Sequence, residues 1–258
     1  TCTNIAVNQY LQDQGSLYFT IEMSKEQIFR RMVSTATGIP LKRLQDRMIS
    51  DMEYDTLAKF QAGRFDGGDT ILKRFLENRD FDKFQTDITK LELRPEAQMD
   101  IVYEPSLTLA KIRAEIEHRV ATQNIKVVIV DYLNQVKRSN VPSRNGQYDW
   151  TEQIEVSKAL KQYAQDYEVL IFSPYQTDAT GEARFAKGIL DAADAAYSLE
   201  TWSPIDACIT FDCKKMRNGP MDSFTSEMEW DTLKIGPRSA INPKDKAQMR
   251  AEMEEEDD

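Results

Sequence analysis

The sequence predicts an α/β fold in which helices flank a mostly parallel β-sheet, and two observations support this prediction. Residues 126–136 read KVVIVDYLNQV, so the four apolar residues 127–130 run directly into Asp131. A short apolar run without polar alternation is typical of a strand that is buried on both faces of a parallel sheet. Elsewhere, similar short apolar runs alternate with segments of helical periodicity, which indicates strands joined by crossover helices.

The first elements of the chain are predicted from periodicity and from capping signals. Residues 4–12 are predicted as a helix and residues 17–22 as a strand. A second helix begins at Ser24, because Gln27 stands at the position of a capping box, and the Gly-Ile-Pro sequence that starts at Gly38 ends it.

The middle of the chain is predicted as a helical insertion followed by two further strands. Residues 41–98 are rich in charged and helix-forming residues and contain no motif with an evident chemistry. Residues 100–104 are predicted as a strand, and Thr108 as the N-terminal cap of a helix whose apolar residues recur every three or four positions. The strand that ends at Asp131 follows.

The last part of the chain is predicted to add one more buried strand and then a C-terminal β-rich hairpin region. Along the chain, the expected elements are a polar loop (137–149), a helix from Trp150, a buried strand (169–173), a loop that contains glycine and charged residues (177–188), and β-like stretches near 194–199, 207–213 and 224–230. We expect one domain over residues 1–240 and an acidic, disordered tail over residues 241–258.

Composition argues against several classes of site and partner. The single histidine argues against a histidine-rich metal site and against a Ser-His-Asp triad. The three cysteines match neither a disulfide framework nor a zinc pattern, which fits a reduced, cytosolic protein. A net charge of −10 argues against general, charge-driven nucleic-acid binding, although it leaves room for a local basic channel. The chain has no apolar run of membrane-spanning length and no secretory signal, so no membrane partner is expected.

The position of Asp131 at a predicted strand end suggests a role in ligand binding. In open α/β sheets, ligands bind beyond the carboxyl ends of the strands. A carboxylate at that edge can help to hold a nucleotide-bound magnesium ion, as a Walker B aspartate does. The alternative is that Asp131 only caps the strand or the turn that follows.

Six short segments point together to one protein family. They are LYFTIEMS at 17–24, VVIVDYL at 127–133, EVSKALK at 155–161, SPYQ at 173–176, GILDAAD at 188–194 and KMRNGP at 215–220. In this order they resemble the ATPase domain of DnaB-type replicative DNA helicases, most of all the bacteriophage versions. The resemblance covers roughly residues 1–235 and is weakest over 41–98. It implies a RecA-like P-loop NTPase core.

The resemblance also implies roles for three residues at predicted strand ends. Asp131 matches the residue that holds Mg²⁺, Glu22 matches the catalytic glutamate that orients and deprotonates water, and Gln176 matches the residue that senses the γ-phosphate. Position alone allows other interpretations. Glu22 also suits a favourable charge at a helix N-terminus beside Ser24, and Gln176 suits an ordinary polar residue at a strand end.

Two further segments match residues that act on a neighbouring subunit or on DNA. In the family, the lysine and arginine before Asn-Gly-Pro reach the nucleotide of the adjacent subunit, and here these residues are Lys215 and Arg217. The Asn-Gly pair is also a tight-turn signal, and both interpretations can hold if the turn presents the arginine. The 177–188 loop matches the central DNA loop, in which Arg184 and Lys187 contact phosphates and Gly188 allows close backbone approach; the alternative is a mobile surface loop.

One family motif is absent from the chain. The phosphate loop GxxxxGK[ST] lies, in the family, immediately before the helix predicted at residues 4–12, and no such sequence occurs here. We therefore expect the sequence to begin just past the lysine of this loop. Either Thr1 or Thr3 then matches the hydroxyl that binds Mg²⁺ beside ATP, or that hydroxyl is lost as well. On this expectation, the chain by itself binds ATP poorly and hydrolyses little of it.

Taken as a whole, the resemblance implies an ATP-dependent DNA helicase. Such a protein acts on single-stranded DNA as a homo-hexamer, with a primase and a helicase loader as partners, in the cytoplasm of a bacterial host if it is phage-encoded. Two alternatives stay open. One is another RecA-like ATPase, of the recombinase or circadian-clock type, against which the KMRNGP and DYL segments argue. The other is a ring or loading scaffold without catalysis, against which the joint presence of Glu22, Asp131, Gln176 and Arg217 argues.

Overall fold

A computed structural model of the chain describes residues 1–94, 98–138, 150–176, 186–201 and 207–240. Within these ranges the chain forms nine α-helices and eight strands. The helices are α1 (Cys2–Tyr10), α2 (Lys25–Thr37), α3 (Leu41–Asp46), α4 (Asp51–Ala62), α5 (Gly68–Asn78), α6 (Phe81–Ile88), α7 (Leu109–Thr122), α8 (Trp150–Asp166) and α9 (Ala186–Ala192). The strands are β1 (Gly15–Thr20), β2 (Met99–Tyr103), β3 (Ile125–Asp131), β4 (Leu170–Phe172), β5 (Ala195–Thr201), β6 (Cys208–Met216), β7 (Phe224–Glu229) and β8 (Lys234–Arg238). No helix in these ranges is long and apolar enough to cross a membrane.

A four-stranded parallel sheet with the order β2-β1-β3-β4 forms the centre of the fold. Residues 127–130 of β3 are at most 3% exposed, so the prediction that this run is buried on both faces is confirmed. Successive side chains of a strand point to opposite faces. Phe19 and Val128 therefore pack in one core layer with α7 and α8, while Tyr18 and Ile129 pack in the other with α1 and α2.

The strand predicted at residues 169–173 is β4, and the prediction that it is buried is wrong. Leu170 is 56% exposed and Phe172 is 36% exposed. Among the described residues, β4 pairs with β3 and no other strand, so it lies at an edge of the parallel sheet. An apolar run indicates a strand, but pairing with strands from distant parts of the chain decides whether that strand is central or at an edge.

The predicted helix boundaries agree with the structure to within a few residues. The side chain of Ser24 accepts a hydrogen bond from the backbone N–H of Gln27, whose side chain accepts one from the Ser24 N–H, so the capping box is present. Gly38 ends α2 with a φ of 71°, a conformation that glycine adopts without a Cβ clash. Thr108 caps α7 by accepting a hydrogen bond from the backbone N–H of Lys111. Local capping chemistry thus places these ends.

Helices α3 to α6 occupy the first part of the segment that was predicted to be helical. Helices α4, α5 and α6 bury a small cluster of their own, formed by Ala58, Ala62, Phe75, Phe84 and Ile88. Phe75 and Phe84 are in ring contact, with centroids 5.2 Å apart. The segment thus has an apolar cluster of its own, while Phe60 of α4 also packs against the core layer that contains Tyr18 and Ile129.

The C-terminal part forms an antiparallel sheet with the order β5-β6-β7-β8, as the prediction of a β-rich hairpin region implied. Strand β8 was not predicted. The turn between β7 and β8 is attached to the helical layer by the buried side chain of Asn4. Asn4 Nδ2 donates to the carbonyl oxygen of Leu233 at 2.7 Å, and Asn4 Oδ1 accepts from the N–H of Ile235 at 2.8 Å. The predicted tail at residues 241–258 lies outside the described residues.

Replacing Asn4 with alanine is expected to destabilise the protein by about 2 kcal/mol, because the substitution removes two hydrogen bonds and leaves two backbone groups without their partner. The matched control is Asn8→Ala on the exposed side of the same helix, which we expect to change stability by less than about 0.5 kcal/mol. Urea unfolding, monitored by circular dichroism, measures both. Equal midpoints for the two variants would show that Asn4 does not hold the hairpin.

Candidate functional site

Three of the predicted site residues follow neighbouring strands at one edge of the parallel sheet. Strands β1, β3 and β4 are parallel and adjacent, so their carboxyl ends lie at the same edge. Thr20 is in register with Asp131, Glu22 comes two residues after Thr20, and Gln176 comes four residues after Phe172. The topology therefore brings Glu22, Asp131 and Gln176 to one side of the molecule, as the sequence suggested.

The carboxylate of Asp131 is held by a tyrosine on the neighbouring strand. Tyr18 is 2% exposed, and its hydroxyl donates to Asp131 Oδ2 at 2.6 Å. Burial, together with the nearby charge of Asp131, raises the pKa of Tyr18 far above its usual range, so the phenol keeps its proton. This hydrogen bond occupies only one of the two carboxylate oxygens, and the residue itself is half-buried. Asp131 is therefore oriented while it stays accessible from the sheet edge.

The beginning of α1 lies beside Asp131. Burial, with a contribution from the charge of Asp131, raises the pKa of the Cys2 thiol to about 11. Thr1 is exposed at the N-terminal end of the helix, whereas Thr3 is buried. The two threonines that the sequence left open as a hydroxyl ligand thus differ in exposure.

The local sequence after β1 explains why Glu22 faces solvent. The buried hydroxyl of Thr20 donates to the carbonyl oxygen of Met23 at 2.9 Å, and it accepts from the Met23 N–H at 3.2 Å. These two hydrogen bonds close a tight turn just before the capping box of α2 at Ser24. Glu22 lies in the middle of this turn and is exposed. The turn thus directs a carboxylate away from the apolar core.

A polar network joins Glu22 to the segment after β3. Gln135 Nε2 donates to Glu22 Oε1 at 2.8 Å. Gln135 Nε2 also lies 3.4 Å from the hydroxyl of Tyr132, which is close to both Glu22 and Gln176. The hydrogen bonds from Tyr132 and Gln135 hold the pKa of Glu22 below its usual range, which keeps the carboxyl ionised.

Two hydrogen bonds bring the segment after β4 against the segment after β3. The hydroxyl of Ser173 donates to the carbonyl oxygen of Val130 at 2.8 Å. The N–H of Leu133 donates to the carbonyl oxygen of Pro174 at 3.0 Å. Gln176 is consequently carried next to Tyr132.

Replacing Gln135 with alanine is expected to raise the pKa of Glu22 towards its usual value, because one of its two donors is lost. At an acidic pH between the two pKa values, Glu22 is then protonated in the variant and ionised in the original protein. A ¹³C NMR titration of the glutamate carboxyls measures this shift. Glu26 is the internal control, because its lowered pKa comes from its own backbone N–H and from Ser24. An unchanged Glu22 titration would contradict the expected result.

Lys215 and Arg217 lie at a different place, beside the C-terminal end of α9. Lys215 Nζ donates to the carbonyl oxygens of Leu190 at 2.6 Å and Asp191 at 3.0 Å. Arg217 donates to the Asp191 carbonyl oxygen at 3.3 Å and lies 3.5 Å from a carboxylate oxygen of Asp194. Cations are favourable at a helix C-terminus. These contacts with α9 anchor both residues within their own chain, while the Arg217 side chain stays 46% exposed.

Asp194 joins this group to α8. It forms an ion pair with Lys161, and the hydrogen bond from Lys161 lowers the pKa of Asp194. Lys161, Asp194 and Arg217 come from three of the six segments that carry the family resemblance. The structure therefore brings together segments that are far apart in the chain.

The residues predicted to contact DNA are described only in part. Arg184 lies outside the described residues, and so does the side chain of Lys187. Gly188 belongs to α9, and a Cβ atom at this position would lie 2.4 Å from Ile154 Cδ1. The close approach that Gly188 permits in this structure is thus between α9 and α8.

Sequence reasoning missed the residues that orient the predicted carboxylates. Tyr18 carries a hydroxyl inside a buried strand, and a buried tyrosine hydroxyl usually needs a partner, so this signal was available. Tyr132 and Gln135 directly follow the strand that ends at Asp131, which places them at the same edge. Nothing in the sequence indicated that both of them would reach Glu22.

The described residues contain no cluster of three or more His, Cys, Asp or Glu side chains that would enclose a metal ion. A single carboxylate at the sheet edge nevertheless suits Mg²⁺, which binds one or two carboxylates together with phosphates and water. Asp131, with one oxygen held by Tyr18, has the donor chemistry for that arrangement.

Comparison with known sequences shows a consistent likeness. Residues 68–188 match the family model described as the DnaB-like helicase C-terminal domain, which includes part of the segment predicted as an insertion. The chain is 24% identical over 188 residues to a probable replicative DNA helicase of Trieres chinensis, covering 72% of this chain and 34% of that protein. It is 26% identical over 173 residues to the replicative DNA helicase DnaB of Mycobacterium leprae, and the match covers 67% of this chain and 23% of that protein. The chain thus spans about a third or less of these curated relatives.

Comparison with solved structures shows the same fold. The ATPase domain of G40P superposes with a TM-score of 0.67 at 15% identity, covering 91% of this chain and 78% of that one. A second solved structure is described as a DnaB-like replicative helicase and its interactions with primase. It superposes with a TM-score of 0.65 at 14% identity, and the match covers 91% of this chain and 53% of that one. At this level of identity, the likeness establishes the fold.

Proposed function

We propose that this chain is the ATP-hydrolysing motor of a replicative DNA helicase, because residues 68–188 match the DnaB-like helicase C-terminal domain and the fold is that of the ATPase domain of G40P. The observation that carries this proposal is the convergence of Glu22, Asp131 and Gln176 at the carboxyl edge of three adjacent parallel strands. That edge is where ligands bind in open α/β sheets. An exposed, ionised carboxylate beside a second, oriented one suits a reaction in which water attacks a phosphate held with a metal ion.

Each residue of the site has a different role in ATP hydrolysis. Asp131, oriented by Tyr18, would hold the Mg²⁺ that accompanies ATP, and Thr1 would add its hydroxyl to the same ion. When bound, Mg²⁺ neutralises phosphate charge. Glu22, an exposed carboxylate, accepts the proton of the attacking water. Gln176 donates its side-chain amide to the γ-phosphate.

Lys215 and Arg217 complete the site of a neighbouring subunit. Their anchors on α9 support a position that is fixed within their own chain, and the Arg217 side chain is 46% exposed. A guanidinium that enters a neighbour's site stabilises the charge that builds up on the transferring phosphate. This arrangement requires an oligomer, and a homo-hexameric ring fits it.

DNA and protein partners follow from the same proposal. The segment at residues 177–188, with Arg184, Lys187 and Gly188, follows directly after Gln176 in the chain, so a change at the phosphate passes to the part that contacts single-stranded DNA. A primase is a natural partner, because a structural neighbour is described together with its interactions with primase. A helicase loader is a further partner, and the cytoplasm of a bacterial host is the proposed location.

The test measures ATP hydrolysis and duplex unwinding by the full-length protein. We expect single-stranded DNA to stimulate phosphate release from ATP, and we expect the protein to separate the strands of a forked duplex in an ATP-dependent manner. A strand-exchange assay on the same preparation tests the recombinase-type alternative. Strand exchange without unwinding would support that alternative, and ring formation without any ATP hydrolysis would support an inactive scaffold.

A further inference from the structure

The hydrogen bond between Tyr18 and Asp131 joins two adjacent strands at the candidate site. Strands β1 and β3 pair in parallel, with Tyr18 opposite Ile129 and Thr20 opposite Asp131. Alternate residues of a strand share a face, so Asp131 lies on the face that carries Tyr18 and Ile129, further along the strands towards the sheet edge. The length of the phenol spans this offset, and its hydroxyl donates to Asp131 Oδ2 at 2.6 Å.

The side chain of Tyr18 donates from a fixed position in the core. Tyr18 is 2% exposed, and it packs in the layer that contains Ile28 and Met32 of α2. Thr20, which is opposite Asp131 in the register, uses its hydroxyl proton elsewhere, in the hydrogen bond to the carbonyl oxygen of Met23. The donor to Asp131 therefore comes from the tyrosine, whose ring the surrounding apolar side chains keep in place.

This hydrogen bond makes the two oxygens of the Asp131 carboxylate unequal. Oδ2 accepts from Tyr18, whereas Oδ1 accepts no hydrogen bond from the residues that the structure describes. A carboxylate in this state offers one oxygen to a cation. Binding through both oxygens requires the Tyr18 hydrogen bond to break, and hydrogen bonds to charged groups are the stronger ones in proteins.

We propose that Tyr18 is a positioning residue that makes the cation site at Asp131 selective for Mg²⁺ over Ca²⁺. This inference rests on the proposed function, in which Asp131 holds the cation that accompanies ATP. Mg²⁺ requires near-ideal octahedral geometry and is usually bound by few carboxylates together with phosphates and water. Ca²⁺ takes more oxygen ligands and accepts carboxylates through both oxygens. A carboxylate restricted to one oxygen therefore suits the smaller ion and withholds a ligand from the larger one.

The charge of Asp131 attracts both cations, since both are divalent. Tyr18 adds no charge to the site, because a phenol that donates to a carboxylate is neutral. What Tyr18 changes is the number of carboxylate oxygens that a cation reaches. The predicted effect is consequently a change in the preference between the two cations, which a loss of structure or of charge at the site does not produce.

The test compares the affinity of the full-length protein for a fluorescent, non-hydrolysable ATP analogue in the presence of Mg²⁺ and of Ca²⁺. Tyr18→Phe removes the hydroxyl and keeps the buried ring. The preference for Mg²⁺ is the dissociation constant with Ca²⁺ divided by that with Mg²⁺. We expect this preference to fall about tenfold in the variant, because a hydrogen bond to a charged group no longer opposes binding through both oxygens. The change should come mainly from tighter binding with Ca²⁺.

The matched control is Tyr163→Phe. This substitution removes a half-buried phenol in the other core layer, where its hydroxyl donates to the carbonyl oxygen of Leu109 at 3.4 Å. Its preference for Mg²⁺ should stay within about twofold of the original value. Circular dichroism of both variants checks that each one is folded.

Three results with the variants would overturn the role of Tyr18: an unchanged preference in Tyr18→Phe, an equal loss of affinity with both cations, or the same change in Tyr163→Phe. Equal affinity with Mg²⁺ and Ca²⁺ in the original protein would overturn it without any variant. Each of these results leaves the proposed function in place. The proposed function fails on a different measurement, an absence of ATP hydrolysis by the original protein with Mg²⁺.

Discussion

Replacing Arg217 with alanine is expected to reduce ATP turnover about a thousandfold or more, the range over which an arginine finger acts. Arg217 is anchored at the end of α9 by the Asp191 carbonyl oxygen and by Asp194. Its guanidinium is thus held in position before a neighbouring nucleotide arrives, and little conformational freedom is lost on binding it. Arg217→Lys should not restore activity, because an ammonium group lacks the planar, two-pronged donor set of a guanidinium.

The control for charge is Lys214→Ala. Lys214 lies three residues before Arg217, is exposed, and pairs with Asp212 within its own strand. Its loss should leave turnover within about twofold, since exposed ion pairs contribute little. Phosphate release at saturating ATP measures each variant. A similar loss in both would indicate that a general positive charge matters, rather than a finger at one position.

Mixing two inactive variants shows whether Arg217 acts across a subunit interface. A ring of Arg217→Ala and Glu22→Gln subunits contains some interfaces at which one chain provides Glu22 and its neighbour provides Arg217. We expect these mixed rings to regain turnover, with the largest effect near equal amounts. No recovery in rings that have demonstrably exchanged subunits would place Arg217 in the site of its own chain.

Replacing Glu22 with glutamine is expected to lower ATP turnover by about a hundredfold to ten-thousandfold, the usual contribution of a general base. Glutamine keeps the shape of the side chain, and its carbonyl oxygen still accepts a hydrogen bond from Tyr132 or Gln135, but it cannot take a proton from water. Affinity for a fluorescent ATP analogue should stay within about twofold, because the carboxylate acts on water and does not bind the phosphates.

Glu26→Gln is the matched control for this substitution. Glu26 lies four residues further on, in the first turn of α2, is exposed, and also has a lowered pKa. Glu26 is not part of the polar network with Tyr132 and Gln135. The Glu26→Gln variant should therefore hydrolyse ATP at the rate of the original protein. If Glu22→Gln retained full turnover, the base would have to be another group at the sheet edge.

Much of the central fold was predictable because it depends on neighbours in the sequence. Four apolar residues in a row favour burial on both faces, and residues 127–130 of β3 have that burial. The ends of α2 followed from Ser24 and Gly38, whose effects are local. Parallel strands share a carboxyl edge, so the predicted strand order along the chain already implied that Glu22 and Asp131 lie on the same side.

Other features depended on contacts between distant parts of the chain. Leu170 and Phe172 form an apolar strand like the others, yet their exposure depends on which strands pair with β4. The anchoring of Arg217 required Asp191 and Asp194 to come within reach across more than twenty residues. No local pattern encodes such a distance.

The sequence alone was enough to identify the α/β class, the strand ends and the chemical type of the residues at those ends, because strand burial and helix capping act over a few residues. The three-dimensional packing decided how those residues are oriented. Tyr18 holds Asp131 from the neighbouring strand, and Tyr132 with Gln135 holds Glu22 from the segment after β3. The hydrogen bonds Tyr18–Asp131 and Gln135–Glu22 each join residues that are 113 positions apart. Only the pairing of β1 with β3 brings them together.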